Sequence, residues 1–239
     1  MDELSVNLEV RGLETVEGGT FKDVIIAGMG KVKGKILARV IEVNGNGQIS
    51  GEINAENLMI AGSFVADKDV ELKNTLNLKG TGNFAKNITC EDIFASGNFA
   101  SKGDIKFREA DINGVFSARG ILTGDKFEVL GSLDMSSDLR VNKVKINFSE
   151  KSNCNDILAD DVSIETIEGK KGLFSKFKKT IFKCNEIRAK KVFIENTECK
   201  LIVADEIIIG ENCKVDKVDY VDSFEFAKSS EVKETVCRK

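Results

Sequence analysis

The sequence predicts an all-β fold, a parallel β-helix wound as a single-stranded solenoid of about 17 residues per coil, from three observations. A glycine returns at Gly12, Gly28, Gly45, Gly62, Gly80, Gly97, Gly114 and Gly131, in steps of 16, 17, 17, 18, 17, 17 and 17. Apolar residues keep station around it. Leu8, Val24, Ile41, Leu58, Leu76 and Ile93 stand four places before, and Val10, Ile26, Val43, Ile60 and Leu78 two places before. The chain also alternates between glycines: Ile41, Val43, Gly45, Gly47, Ile49, Gly51, Ile53 and Ala55 are separated by mostly polar residues. A period of two carried through a whole repeat means extended backbone that bends at corners, which a helix cannot produce. Coils of near-constant length stack as parallel strands about 4.8 Å apart and superpose their inward residues into ladders.

Taken in order, Leu4, Val6, Leu8 and Val10 alternate with polar residues and form a first strand leading to Gly12. Each later repeat holds about three short alternating stretches. The glycines fit corners, where φ is positive and neighbouring coils leave no room for a Cβ. One repeat is a residue longer, and the extra residue falls in the polar stretch Lys73-Asn74-Thr75, where it can bulge into solvent. Phe148 takes the next glycine place, while Val144, Ile146, Val162 and Ile164 keep the spacing. Residues 1–168 are therefore regular coils. Residues 169–183 break the pattern as a basic, aromatic insert. Coils resume over 184–228 with shorter steps near 15, through Ile187, Val192, Ile202 and Ile207 to Val215, Val218, Tyr220, Phe224 and Phe226. Residues 229–239 read as a short charged tail, and the whole as one solenoid domain.

Composition narrows the function. With 35 basic and 39 acidic residues the net charge is −4, which gives no electrostatic footprint for nucleic acid. There is no His, so the commonest general base and metal ligand is missing. Asp67, Asp69, Glu91, Asp92, Asp160, Asp161, Asp205 and Glu206 sit at corners or on outward faces, as solvated carboxylates do. No catalytic, cofactor-binding or metal site is expected, and no cofactor. Six cysteines lie far apart without a C-x-x-C pair, and Met1-Asp2-Glu3 does not open a secretory signal. Reduced thiols in a cytoplasmic protein are expected. Cys184, Cys199 and Cys213, at steps of 15 and 14, are expected to stack in neighbouring coils.

The insert is the stretch with a chemical character of its own. As a helix it would set Leu173, Phe174, Phe177 and Ile181 on one face and Lys176 and Lys179 opposite, with Lys170, Lys171, Lys178 and Lys183 adding charge. An apolar face beside a basic one suits contact with anionic lipid. The alternative is a corner loop whose phenylalanines fold back onto the coils.

The repeat Ile41-Glu-Val-Asn-Gly-Asn-Gly-Gln-Ile-Ser-Gly-Glu-Ile-Asn-Ala55, with eight such glycines in register, resembles the bactofilins, polymer-forming bacterial cytoskeletal proteins. The resemblance covers roughly 6–150 and, more loosely, 180–226. It implies a right-handed, triangular β-helix that assembles end to end without nucleotide and scaffolds cell-envelope machinery or cell shape. Physics agrees, because a β-helix ends in bare strand edges unless something caps them. The expected self-assembly residues are Leu4, Val6, Leu8 and Val10 at one end and Val218, Tyr220, Phe224 and Phe226 at the other. The expected partners are further copies of the chain and cell-envelope proteins. The expected place is the cytoplasm, or the inner face of the cell membrane if the insert meets lipid. The rival readings are a monomeric β-helix that binds other proteins and, from the enzymes, a hexapeptide-repeat acyltransferase. The latter's 18-residue coils and frequent catalytic His do not match a 17-residue step without His.

Overall fold

The structure is a computed structural model that describes residues 6–167 and 180–238. Among these residues every helix or strand is a β-strand, and the strands fall into two compact units, Met1–Gly120 and Ile121–Lys239. The first holds β1 (Leu8–Thr20), β2 (Asp23–Ile49), β3 (Ile53–Ala66), β4 (Val70–Phe84), β5 (Ile88–Thr89), β6 (Asp92–Ser101), β7 (Ile105–Lys106) and β8 (Glu109–Ala118). The second holds β9 (Leu122–Met135), β10 (Leu139–Phe148), β11 (Ser152–Asn153), β12 (Asp156–Leu158), β13 (Asp161–Thr166), β14 (Phe182–Arg188), β15 (Lys191–Ile194), β16 (Thr197–Ile209), β17 (Lys214–Phe226) and β18 (Glu231–Cys237). All registered pairs are parallel and join one coil to the next, so the expected β-solenoid is what the chain forms.

In the first unit the predicted ladder is present: Ile41 pairs with Leu58, Leu58 with Leu76, Leu76 with Ile93 and Ile93 with Ala110. These side chains are buried. The alternation read over 41–55 holds, with Ile41, Val43, Gly47, Ile49, Gly51, Ile53 and Ala55 all buried. The extra residue also lies where the polar stretch put it. Ala55 pairs with Leu72 and Asn57 with Thr75, so Lys73 and Asn74 share the place opposite Glu56.

The glycine row is a row of corners, and all eight have positive φ, from 74° to 143°. Gly62 shows why nothing larger fits: its φ is +136°, and a Cβ there would lie 2.2 Å from the carbonyl oxygen of Gly45, one coil earlier. Both demands of the sequence reading therefore meet in one residue. In the second unit the row changes character. Phe148 pairs with Gly131 but points inward and is fully buried, with its ring 5.8 Å from that of Phe182. Further along the same row Asn196 takes φ of 47°, a conformation Asn tolerates better than most side chains.

Glycine also makes room inside. Phe64, Gly82, Phe99 and Phe116 stand in register, and the ring of Phe84 leans over Gly82, where a Cβ would come within 2.9 Å of it. The rings of Phe64, Phe84, Phe99 and Phe116 follow one another at 6.0, 5.0 and 5.3 Å. Such contacts add ~0.5–1.5 kcal/mol each to the burial of the rings.

Two boundaries differ from the sequence reading. Phe182 and Lys183 are not part of the insert but open β14, with Phe182 fully buried. Residues 231–237, read as part of a charged tail, form β18 and pair in parallel with β17. Its charges masked a strand with apolar residues at Val232 and Val236 alone.

Removing one ring from the stack should be costly. Phe99→Ala is expected to lower unfolding stability by ~3–5 kcal/mol, while Phe94→Ala, on a side chain 47% exposed on the outer surface, should change it by less than ~0.5 kcal/mol. Urea titration of both variants measures the difference.

Candidate assembly surfaces

The first unit begins on an uncovered edge. β1 pairs with β2 from Leu8↔Val24 to Thr20↔Leu37, and among the described residues no other strand is registered against it. Leu4 lies outside the described residues. Val6 is exposed, Leu8 is half-buried, and Val10 is fully buried as a core residue. Leu13, which the sequence reading passed over, is 83% exposed just past the corner at Gly12. An unpaired strand edge flanked by apolar side chains is a template for another strand.

The far end of the second unit has two halves. β17 pairs with β16 along its whole length, from Lys214 to Phe226. On its other side β18 covers Lys214–Tyr220 and stops, so Ser223–Phe226 has no further strand among the described residues. Val218, expected at an open end, is fully buried in the core. Tyr220 and Phe224 are half-buried and Phe226 is 51% exposed. The three rings form one cluster, with centroids 5.5 Å apart from Tyr220 to Phe224 and 5.5 Å from Phe224 to Phe226.

Over the covered half, charge faces opposite charge. Glu231 stands opposite Lys214, Lys233 Nζ lies 2.7 Å from Asp216 Oδ1, and Lys217 Nζ lies 2.7 Å from Glu234 Oε1. Arg238 donates to the buried Asp219 carboxylate. Sequence reading missed this set, although the order of signs in Lys214, Asp216, Lys217 and Asp219 is the reverse of that in Glu231, Lys233, Glu234 and Arg238.

Six of the eight outward carboxylates read from the sequence are held by residues of neighbouring coils. Arg108 bridges Asp92, Glu91 and Glu109; Lys190 meets Asp160 at 2.9 Å; Lys191 meets Glu206 at 3.0 Å. Asp67 accepts from Gln48 Nε2 at 2.8 Å, and Asp69 accepts from the Asn87 amide at 3.0 Å. Exposed pairs of this kind stabilise by ~0–1 kcal/mol each and tie one coil to the next. Among the described residues no group of His, Cys, Asp and Glu is arranged to hold a metal ion.

The cysteines are free, and five of the six are buried. Cys184 and Cys199 are in register, as expected from their spacing. Cys213 is not the next member: Cys199 pairs with Val215 instead. The third thiol of the ladder is Cys154, beside Cys184 one coil earlier and hidden from spacing arguments by the insert between them. Burial, then the charges of Asp92 and Glu91, push the Cys90 thiol up to about 12; burial, with Asp138, does the same to Cys154. Cys184 is raised by its hydrogen bond with Cys199 and then by burial.

Residues 4–101 match the family model described as Bactofilin, polymer-forming cytoskeletal. Over that stretch the chain is similar to the bactofilins. No curated protein and no solved structure matches the chain. The matched stretch runs through β1 to the end of β6, and so contains the uncovered β1 edge and most of the phenylalanine stack. A polymer-forming cytoskeletal family is a structural one. The insert residues Lys171, Leu173, Phe174, Lys176, Phe177, Lys178 and Lys179 lie outside the described residues, and Ile181 is half-buried just before β14. No helix of the described residues is long and apolar enough to cross a membrane.

Thiolate, not thiol, is the reactive form, so a disulfide-exchange reagent at pH 8 is expected to titrate Cys237 in the folded protein and all six thiols after unfolding. The sign of the pH effect follows. Unfolded thiols titrate near ~8.5, while the folded chain holds protons on Cys90 and Cys154 to about 12. Stability is therefore full below ~8.5 and falls as pH rises through that window. Cys90→Ala and Cys154→Ala together should flatten the fall in alkaline urea titrations.

Proposed function

We propose that the chain is a structural scaffold that assembles end to end without nucleotide, through the uncovered β1 edge and the aromatic cluster of Tyr220, Phe224 and Phe226. One observation carries the reading. At each of these places a parallel strand edge lies open among the described residues beside exposed apolar side chains, Val6 and Leu13 at one and Phe226 at the other. Open edges accept strands, and a contact between unlike ends does not close, so it propagates as a filament. A polymer-forming family description for residues 4–101 supports it. Such filaments would support cell shape or cell-envelope proteins from the cytoplasmic side.

Sedimentation velocity and negative-stain imaging of the purified protein test the proposal. Concentration-dependent polymers or end-on oligomers are expected, weakened by Leu8→Lys or Phe226→Lys. A single monomeric species at high concentration, indifferent to both changes, would refute it.

A second reading has its own observation. A groove of about 740 Å³ runs along the first unit, with Leu37, Ala38, Ala55 and Leu72 on its floor and Lys22, Arg39, Glu56, Glu71 and Lys73 beside them. A monomeric protein-binding module would use such a groove, and the same sedimentation experiment separates the two.

The insert extends the scaffold reading to the membrane. Its basic and aromatic residues, Lys171, Leu173, Phe174, Lys176, Phe177, Lys178, Lys179 and Ile181, are proposed to rest on anionic lipid. Flotation with vesicles containing phosphatidylglycerol should carry the parent protein upward and leave Phe174→Ser/Phe177→Ser behind. Equal flotation of both, or none, would end that part of the reading.

A further inference from the structure

β18 is unlike the other strands. Among the described residues it is the one strand with no buried side chain: five of its seven residues are exposed, and Val232 and Val236 are half-buried. Even the two-residue strands β5 and β7 each bury an isoleucine. What seats β18 is charge. Glu231, Lys233, Glu234 and Arg238 each face a residue of opposite sign in or beside β17, namely Lys214, Asp216, Lys217 and Asp219. Beneath it lie Val215 and Val218, both buried, which belong to the core of the preceding coil. Arg238 reaches the buried Asp219 from just past the end of the strand, but the contacts made within β18 are exposed, and exposed ion pairs are individually weak and screened by salt, whereas a buried apolar ladder is not. A strand held in this way opens at a lower free-energy cost than the coils behind it.

Its position gives that weakness a consequence. β18 pairs with Lys214–Tyr220, the continuation of the edge left open at Ser223–Phe226. The charged side chains and short length of β18 are features that keep strand edges from pairing with other chains, yet the aromatic cluster immediately beside it is not protected. We propose that β18 is a charge-held guard strand, which occupies the part of the β17 edge that a second copy of this chain would otherwise use and opens that edge when released. The second copy is the occupant because both stretches belong to one strand, β17, on either side of the irregularity after Tyr220, so that release of β18 leaves the whole outer edge of that strand open to a strand of the same kind. The inference rests on the end-to-end assembly proposed above. It adds that assembly at this end is restrained by four complementary charges and rises when they are broken or screened.

The test separates release of the strand from its effect on assembly. Hydrogen exchange read by mass spectrometry, on the full chain, compares the parent with Glu234→Lys and with the charge-swapped pair Lys217→Glu/Glu234→Lys. Glu234→Lys is expected to speed amide exchange over residues 231–237 about tenfold while leaving β16 unchanged, and the swap is expected to restore the parent rate. Sedimentation at matched concentration should then show more assembly for Glu234→Lys and parent-like assembly for the swap. Adding Phe226→Lys to Glu234→Lys should remove the gain. Exchange over 231–237 that does not respond to charge reversal would overturn the guard strand, and so would faster exchange with equal or reduced assembly in a parent that does assemble. If β18 is shown to be released and neither parent nor variant assembles, the end-to-end reading falls with it.

Discussion

Everything in this molecule depends on how closely the corner of one coil can approach the next. Parallel strands set the spacing, and at the corners that spacing leaves no volume for a side chain on the inner line. At Gly62 the Gly45 carbonyl oxygen stands 2.2 Å from where a Cβ would be, and the same distance recurs at Gly80, Gly97 and Gly114. Positive φ turns the chain there without disturbing the alternation on either side. Because the coils of the first unit turn at the same place, Ile41, Leu58, Leu76 and Ile93 fall on one line, and the core there becomes a set of ladders rather than a globule.

The same constraint shapes the interior and the ends. Gly82 yields volume to Phe84, so four rings stack where a uniform column of phenylalanines in register would lack one. A ladder has no natural terminus, and each coil passes its unsatisfied edge to the next. At β1 nothing among the described residues receives it, and at β17 a strand held by charge covers one half while three rings flank the other. The family model that residues 4–101 match is described as polymer-forming, which is what an unfinished ladder leads one to expect.

Much of this was legible in the sequence because it repeats. The coil length, the inward rows and the corner glycines each follow from a pattern seen several times over, and the bulge at Lys73 and Asn74 stands out as the one repeat that exceeds it. Features with no repeat to be measured against were harder to see. Val218 looked like an end residue because nothing marked β18 as a strand, its apolar content being two valines among charges. Cys154 was not linked to Cys184 because the insert lengthens the step between them, and Cys213 was linked to Cys199 because its step is close to a coil. The phenylalanine stack was missed for another reason: Phe84 is out of register with Phe64 and Phe99, and only the space above Gly82 brings the rings together. The assembly surface was read as two ends of apolar residues, and it is there that burial, which spacing does not reveal, sorts Val10 and Val218 from Val6 and Phe226.

The close approach of corners can be separated from backbone strain at two glycines of one row. Gly34 has φ of +84° but open space where a Cβ would go, whereas Gly51, one coil later, has no such φ and a Cβ there would lie 2.0 Å from the Gly34 carbonyl. The decisive measurement is the urea unfolding of Gly34→Ala against Gly51→Ala. Positive φ alone costs an L-residue ~1–2 kcal/mol, so Gly34→Ala should lose about that amount and Gly51→Ala considerably more, with disturbed neighbouring coils. A Gly51→Ala loss no larger than that of Gly34→Ala would show that the corners have room to spare and that the stack is set by something other than their contact.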